Sequence, residues 1–85
     1  MDREILAAHL ALKGGVAIRY AGEYSLFIPG YRIWWAGSSN PWPASDWCGS
    51  DTIDRSWLDR VVHPRDIPDP FYDQLVEVMW KEGAL

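Results

Sequence analysis

The sequence predicts a small two-layer α+β domain that spans residues 1–85 as a single unit. Apolar residues recur at helical spacing near both ends of the chain, whereas apolar and other residues alternate in its middle. Glycine and proline separate the alternating runs at intervals short enough for an antiparallel meander. The predicted order is an N-terminal helix, a three-stranded antiparallel β-meander, a tryptophan-rich loop and two C-terminal helices.

The first predicted element is a helix over Asp2–Lys13. Asp2 is a favoured N-cap residue, and Gly14 accepts the left-handed conformation that ends many helices. Alanines between the larger apolar residues favour the helical state. The side chains expected to pack on the sheet are Ile5, Ala8 and Leu12.

Three strands are predicted over Val16–Tyr20, Tyr24–Ile28 and Tyr31–Trp35, because each run alternates large apolar residues with others. Ala21–Glu23 is expected to form a short hairpin loop, and the Pro-Gly pair at 29–30 is typical of a tight turn. Connections this short predict an antiparallel meander.

The two faces of the predicted sheet differ in character. Trp35 is predicted to be a core residue on the apolar face that needs a cover. The second face carries Arg19, Phe27 and Trp34 and is only partly polar. Together with Tyr20 and Arg32, these side chains have the composition of a stacking platform for single-stranded nucleic acid. The net charge of −4 disfavours that interpretation, because phosphates would be repelled.

A long loop is predicted over residues 36–50, which are rich in glycine, proline and serine. Long ordered loops tend to be functional or to be held down by their own side chains. Trp42 lies between two prolines, so we expect it to be extended and at least partly exposed. Trp42 and Trp47 are therefore candidate partner-binding residues.

Two helices are predicted in the C-terminal part. Ser50 or Asp51 is expected to cap a helix that continues to about Val61, with Trp57 in its apolar stripe as a core residue. Asp69 is expected to cap a further helix that has Pro70 at its first position and ends at Gly83. Its predicted apolar face consists of Phe71, Leu75, Val78 and Met79, flanked by Tyr72, Val76 and Trp80.

The chain carries no motif for catalysis, phosphate binding or metal binding. His9 and His63 lie in different predicted elements, and Cys48 is the only cysteine, so neither zinc-ligand spacing nor a disulfide within the chain is present. We therefore predict no catalytic residue, no cofactor and no metal site. The chain also lacks a signal-peptide pattern and an apolar run of about 18–20 residues, so we expect a cytoplasmic protein without membrane contact.

The least ordinary pattern is a series of carboxylates in the last predicted helix. Asp69, Asp73 and Glu77 are spaced four residues apart, and Asp66 extends the series towards the N-terminus. One interpretation is a solvated helix face, since helix N-termini favour negative charge. The other is a mimic of a phosphate backbone, since a rise of about 6 Å between successive carboxylates is comparable to phosphate spacing.

Trp34, Trp42 and Trp47 join these four carboxylates as candidate partner-binding residues. In size, acidity and aromatic content the chain resembles the small inhibitors that bacteriophages encode against host defence, anti-CRISPR proteins among them. That resemblance implies an inhibitor in the host cytoplasm that binds a basic, nucleic-acid-binding protein surface by occlusion or mimicry. The alternative is a small regulatory or structural subunit that forms homodimers through exposed aromatic residues. An enzyme or a direct nucleic-acid binder is less favoured.

Overall fold

The computed structural model describes residues 1–38 and 53–85, and it confirms the α+β fold class. Within these described residues, two α-helices lie near the ends of the chain, with four strands and two 3₁₀ helices between them. The helices are α1 (Arg3–Lys13) and α2 (Asp69–Lys81), and the 3₁₀ helices are Arg55–Arg60 and Pro64–Asp66. The strands are β1 (Val16–Tyr20), β2 (Glu23–Phe27), β3 (Trp34–Gly37) and β4 (Val61–Val62).

Helix α1 has the predicted bounds and caps. Asp2 Oδ1 accepts hydrogen bonds from the Glu4 and Ile5 backbone N–H groups at 2.8 and 3.2 Å, and Gly14 ends the helix with φ = 70°. The predicted buried face is wrong. Leu6 and Leu10 are the buried residues, whereas Ile5, Ala8 and Leu12 are exposed. A leucine pair at i and i+4 forms a sufficient stripe on so short a helix, and it is rotated away from Ile5 and Leu12.

The sheet is antiparallel throughout, with the strand order β3-β2-β1-β4. The structure thus adds a fourth strand to the predicted meander. The hairpin between β1 and β2 is tighter than predicted, because Tyr20 pairs with Glu23 and only Ala21 and Gly22 connect them. Both connecting residues have positive φ, 51° and 80°, as a type I′ turn requires.

The register of β3 corrects the predicted faces. Trp34 pairs with Leu26, and Trp35 pairs with Ser25, so Trp34 shares its face with Leu26. The prediction placed Phe27 with Trp34 on one face and Trp35 on the other. A shift of one residue in pairing moves every side chain of a strand to the other face, and β3 differs from the prediction by that amount.

Each face of the sheet carries a separate buried cluster. The larger cluster lies between the sheet and the two α-helices, and Trp34 belongs to it. The smaller cluster lies on the other face, and Ile53 and Trp57 pack against it. Its buried members are Ile18, Phe27, Ile33 and Trp35. Trp35 is therefore a core residue, as predicted, but in the cluster that α1 and α2 do not cover.

The helix predicted to continue to Val61 is wrong over the described residues. Arg55–Arg60 is a 3₁₀ helix capped by Asp54, and Val61 begins β4, which pairs with β1. Trp57 is half-buried, whereas 46% of Val61 is exposed. The predicted cap, Ser50 or Asp51, lies outside the described residues.

Helix α2 spans nearly the predicted range. Pro68 is its N-cap residue, so Asp69 occupies the first helical position and is not the cap. Beyond its end, Gly83 has φ = 80°. The buried residues of α2 are Tyr72, Leu75, Val78 and Met79. Within residues 1–38 and 53–85, no helix has the length and apolar character needed to cross a bilayer.

Candidate functional site

The four predicted carboxylates are all exposed and follow one another along the C-terminal part of the fold. Asp66 ends the 3₁₀ helix Pro64–Asp66, and Asp69, Asp73 and Glu77 lie on α2. Spacing by four residues places the three helical carboxylates on neighbouring turns, about 6 Å apart along the axis. The structure thus keeps them together as a series.

Cations accompany part of this series. An Arg3 guanidinium nitrogen lies 2.5 Å from Asp69 Oδ1, and Lys81 Nζ lies 3.1 Å from Glu77 Oε1. Asp66 Oδ2 accepts a hydrogen bond from the His63 backbone N–H at 3.2 Å. Among the described residues, Asp73 forms no ion pair. The series is therefore a mixed surface, in which Asp69 and Glu77 are paired with cations and Asp66 and Asp73 are not paired with a cation among the described residues.

Arg3 fastens the beginning of α1 to the segment that leads into α2. Its guanidinium donates to the Pro64 and Ile67 carbonyl oxygens at 2.5 and 2.6 Å and lies 4.0 Å from the centroid of the Tyr72 ring. One planar guanidinium group thus donates hydrogen bonds to two backbone carbonyl oxygens, a geometry that suits arginine. Arg3 thereby fixes where the N-terminal turn of α1 lies relative to α2.

Tyr72 supplies a second attachment. Its hydroxyl donates to the Met1 carbonyl oxygen at 2.7 Å. Burial raises the pKa of the Tyr72 phenol above its ordinary value of 10.0, and so the hydroxyl remains a donor across the physiological range. The chain before α1 is thus held against α2.

A groove of about 540 Å³ lies where these two helices meet. Its floor and walls are mostly apolar, and three large hydrophobic side chains are unusually exposed there: 64% of Ile5, 64% of Trp80 and 49% of Met1. The remaining lining residues are Asp2, Asp73, Val76, Glu77 and Lys81. Two members of the predicted acidic series, Asp73 and Glu77, therefore border an exposed apolar surface.

The sequence prediction missed this groove, because it assigned Ile5 to the core and Trp80 to the flank of a buried face. The available signal was the leucine pair at 6 and 10, which competes with Ile5 for the buried side of α1. On α2, Trp80 follows Met79, which completes the buried i and i+4 pair with Leu75. Ile5, directly before Leu6, and Trp80, directly after Met79, both fall outside the buried stripe of their helix.

A second exposed aromatic region lies near the β1–β4 edge of the sheet. The centroids of the Tyr20 and Trp57 rings lie 6.4 Å apart, and the Arg60 guanidinium carbon lies 4.8 Å from the centroid of the Tyr20 ring. Leu58 and Val61 are about half exposed. In contrast to the groove, this region carries an arginine next to its aromatic rings.

The structure does not bring together the side chains of the stacking platform that the net charge already disfavoured. Phe27 and Trp34 lie on opposite faces of the sheet and are both 6% exposed, whereas Tyr20 is exposed. This corrects the expectation that Trp34 lies on a surface: it is a core residue, and its indole Nε1 is buried without a hydrogen-bond partner among the described residues. The other two candidate tryptophans, Trp42 and Trp47, lie outside the described residues.

Within residues 1–38 and 53–85, no three histidine, cysteine or carboxylate side chains converge as a metal site would require. Comparison of the chain with protein-family models, curated proteins and solved structures gives no match. The chemistry of the exposed surface is therefore the basis for a functional proposal.

Proposed function

We propose that this protein is a small acidic inhibitor that binds a partner protein and covers a basic, nucleic-acid-binding surface on it. The observation that carries the proposal is the exposed acidic series along α2, from Asp66 to Glu77, beside an exposed apolar groove. Exposed apolar surface rimmed by charge is typical of protein-interaction sites. Partner binding, rather than chemistry, is what this combination of side chains favours.

Occlusion is better supported than close mimicry of nucleic acid. A phosphate backbone is uniformly anionic, whereas Arg3 and Lys81 each neutralise one carboxylate of the series. Nucleic acid also offers no counterpart to an exposed isoleucine and tryptophan in a groove. A surface that combines apolar anchors with a few carboxylates can exclude nucleic acid simply by occupying the same area.

The size of the domain permits this mode of action. Its accessible surface is 5034 Å², and a stable interface buries about 800 Å² on each partner. Such a contact would take roughly one sixth of that surface. The domain is therefore large enough to offer an interface of this size.

The test uses a pair of charge variants with equal net charge. Asp73→Asn with Glu77→Gln removes two carboxylates of the series and leaves the Arg3–Asp69 contact intact. Glu23→Gln with Asp59→Asn removes two carboxylates elsewhere and is the matched control. Each protein is immobilised and exposed to nuclease-treated bacterial lysate, and the retained proteins are identified and tested for nucleic-acid binding.

We expect the parent and the control to retain the same nucleic-acid-binding protein, and added DNA or RNA to displace it. The Asp73/Glu77 variant should retain much less of it, and the remaining affinity should depend less on salt, because charge steering is screened within about 10 Å at 0.1 M. Equal retention by both double variants, or a partner indifferent to nucleic acid, would contradict the proposal.

A homodimeric regulatory subunit is the second candidate. Trp80 favours it, because 64% of this large side chain is exposed next to exposed Ile5. Sedimentation of the parent and of Trp80→Ala over a range of concentrations decides the matter. A parent dimer that Trp80→Ala converts to a monomer would support this candidate, whereas two monomers would exclude it.

A further inference from the structure

We propose that the groove between the start of α1 and the face of α2 seats a basic amphipathic helix of the partner protein. This inference rests on the proposed function and specifies the partner's contact element. It goes beyond the acidic series, because the groove is a separate, apolar feature that the charges only border.

The apolar part of the groove supplies the anchoring contacts. Ile5 on α1 and Trp80 on α2 are each 64% exposed, and half-buried Val76 also lines the groove. Tryptophan and its neighbours in a concave site commonly dominate the affinity of an interface. A partner must therefore present apolar side chains that cover Ile5 and Trp80.

The charges that border the groove favour a partner segment that carries positive charge. Asp73 and Glu77 lie in the lining on α2, and Asp73 has no cation paired with it among the described residues. Among the described lining residues, the only cationic side chain is that of Lys81, whose Nζ already lies 3.1 Å from Glu77 Oε1. Asp2 is occupied as the cap of α1. A lysine or arginine that flanks the partner's apolar residues would fill the unpaired position at Asp73.

The shape of the groove favours a helix as the occupant. Of its described lining residues, five lie on α2, Ile5 lies on α1, and Met1 and Asp2 directly precede α1. None of them lies on a strand that could pair with an extended segment. An amphipathic helix presents apolar residues at i, i+3, i+4 and i+7 to such a groove. Helix α2 has 13 residues, which corresponds to about 20 Å, so a partner helix of about three to four turns would match it.

The test uses synthetic probe peptides of about 14 residues, capped at both ends and labelled for fluorescence anisotropy. The first carries leucine at i, i+3, i+4 and i+7 with lysine on the flanks of the apolar face. The second contains the same residues in scrambled order, and the third has glutamate in place of every lysine. The intact chain is titrated against each peptide.

We expect the amphipathic basic peptide to bind, and the scrambled and acidic peptides to bind at least about tenfold more weakly. Trp80→Ala should weaken binding of the first peptide about tenfold. Asp73→Asn should weaken it by a smaller factor and reduce its salt dependence. Leu12→Ala and Asp59→Asn are the matched controls, since both residues are exposed away from the groove, and they should leave binding unchanged.

Three results would overturn the inference. Equal binding of the basic and scrambled peptides would show attraction by charge alone, and unchanged binding by Trp80→Ala would place the peptide elsewhere. A parent dimer that Trp80→Ala dissociates would show that a second copy of the chain covers the groove.

The inference and the proposed function fail separately. If no peptide binds but lysate capture still depends on Asp73 and Glu77, the proposed function stands without a helix in the groove. If the basic peptide binds at Trp80 but the captured partner does not bind nucleic acid, the groove stands and the inhibitor proposal fails.

Discussion

The two faces of the sheet are both buried, but they are covered in very different ways. On one face, α1 and α2 enclose a cluster that contains thirteen of the described buried residues, Trp34 among them. On the other, four buried residues, Trp35 among them, are covered within the described chain by Ile53 and the 3₁₀ helix that carries Trp57. Adjacent tryptophans on one strand thus serve two cores.

The difference shows how a short chain can bury a whole sheet. Antiparallel sheets often leave one face to solvent, and their strands then alternate strictly. Here the last two residues of β2, Leu26 and Phe27, and Ile28 directly after them are all buried, because both faces need apolar residues. On the second face, the Trp57 ring packs edge to face on the Trp35 ring, with centroids 5.3 Å apart and planes at 83°.

The largest expected effect tests whether the smaller cluster is a true core. Trp35 is 4% exposed, so Trp35→Ala should lower the free energy of unfolding by about 3–5 kcal/mol. Leu75→Ala on the helix-covered face, where the side chain is fully buried, should cost about 2–5 kcal/mol. Urea denaturation followed by circular dichroism measures both.

Similar losses for the two variants would mean that the faces contribute comparably. If Trp35→Ala fails to fold, Trp35→Phe keeps an aromatic ring and should give an intermediate, measurable loss. A nearly unchanged midpoint for Trp35→Ala would instead make the second face an appendage to the helical core.

A smaller effect is expected for the cover of the second face. Trp57 is half-buried and contacts both Trp35 and Tyr20, so Trp57→Ala should cost about 2 kcal/mol. Trp80→Ala is the matched control, because the same change at an exposed tryptophan should stay within about 0.5 kcal/mol. Equal losses for the two variants would contradict the assignment of Trp57 as the cover.

Local signals were sufficient to predict the start of α1, the C-terminal ends of both helices and part of the buried stripe of α2. The Asp2 cap, the glycine ends of both helices and the Leu75/Met79 pair each depend on a few neighbouring residues, and all are present. The β1–β2 hairpin was predicted with one residue too many in its loop. Its turn contains Ala21 at φ = 51°, and alanine is not typical of that position in a type I′ turn.

The second face was harder to predict, because its cover depends on pairing between distant segments. Ile53, Trp57, Leu58 and Val61 have helical spacing, yet Val61 joins β4, because its partner Ile18 on β1 offers strand pairing. Likewise, no local feature distinguishes a strand that ends at Trp35 from one that begins at Trp34. Tertiary pairing overrides periodicity over such short segments.

Of the candidate site, the sequence predicts only the series of charged residues. The carboxylates from Asp66 to Glu77 are exposed in series, because four-residue spacing on a helix fixes their relation locally. The groove was not predicted, because it depends on how Arg3 and Tyr72 hold α1 against α2 across more than sixty residues of sequence. Contacts of that kind leave no periodic signal.

The smallest expected effect concerns Asp54, which caps the 3₁₀ helix that carries Trp57. Titration of this cap should make the stability of the second face's cover depend on pH. Asp54 Oδ1 accepts hydrogen bonds from the Ser56 backbone N–H and from the Ser56 hydroxyl, both at 2.8 Å. These two bonds, the backbone one foremost, hold the pKa of Asp54 below its ordinary value of 3.8. Because the folded-state pKa is the lower one, the carboxylate stabilises the fold fully above the unfolded-state value, and this stabilisation is lost as the pH falls through the folded-state pKa.

Asp54→Asn keeps a competent cap but removes the titration. The difference in unfolding free energy between parent and Asp54→Asn should therefore be constant above about pH 5 and should shrink progressively below about pH 4. Ser56→Ala removes one of the two donors, so its difference from the parent should show a weaker change over the same range. Urea denaturation at intervals between about pH 2.5 and 7 measures these differences. If the parent and Asp54→Asn lose stability in parallel down to the lowest pH, the Asp54 cap does not anchor the cover of the second face, and Trp57 must be held there by its ring contacts alone.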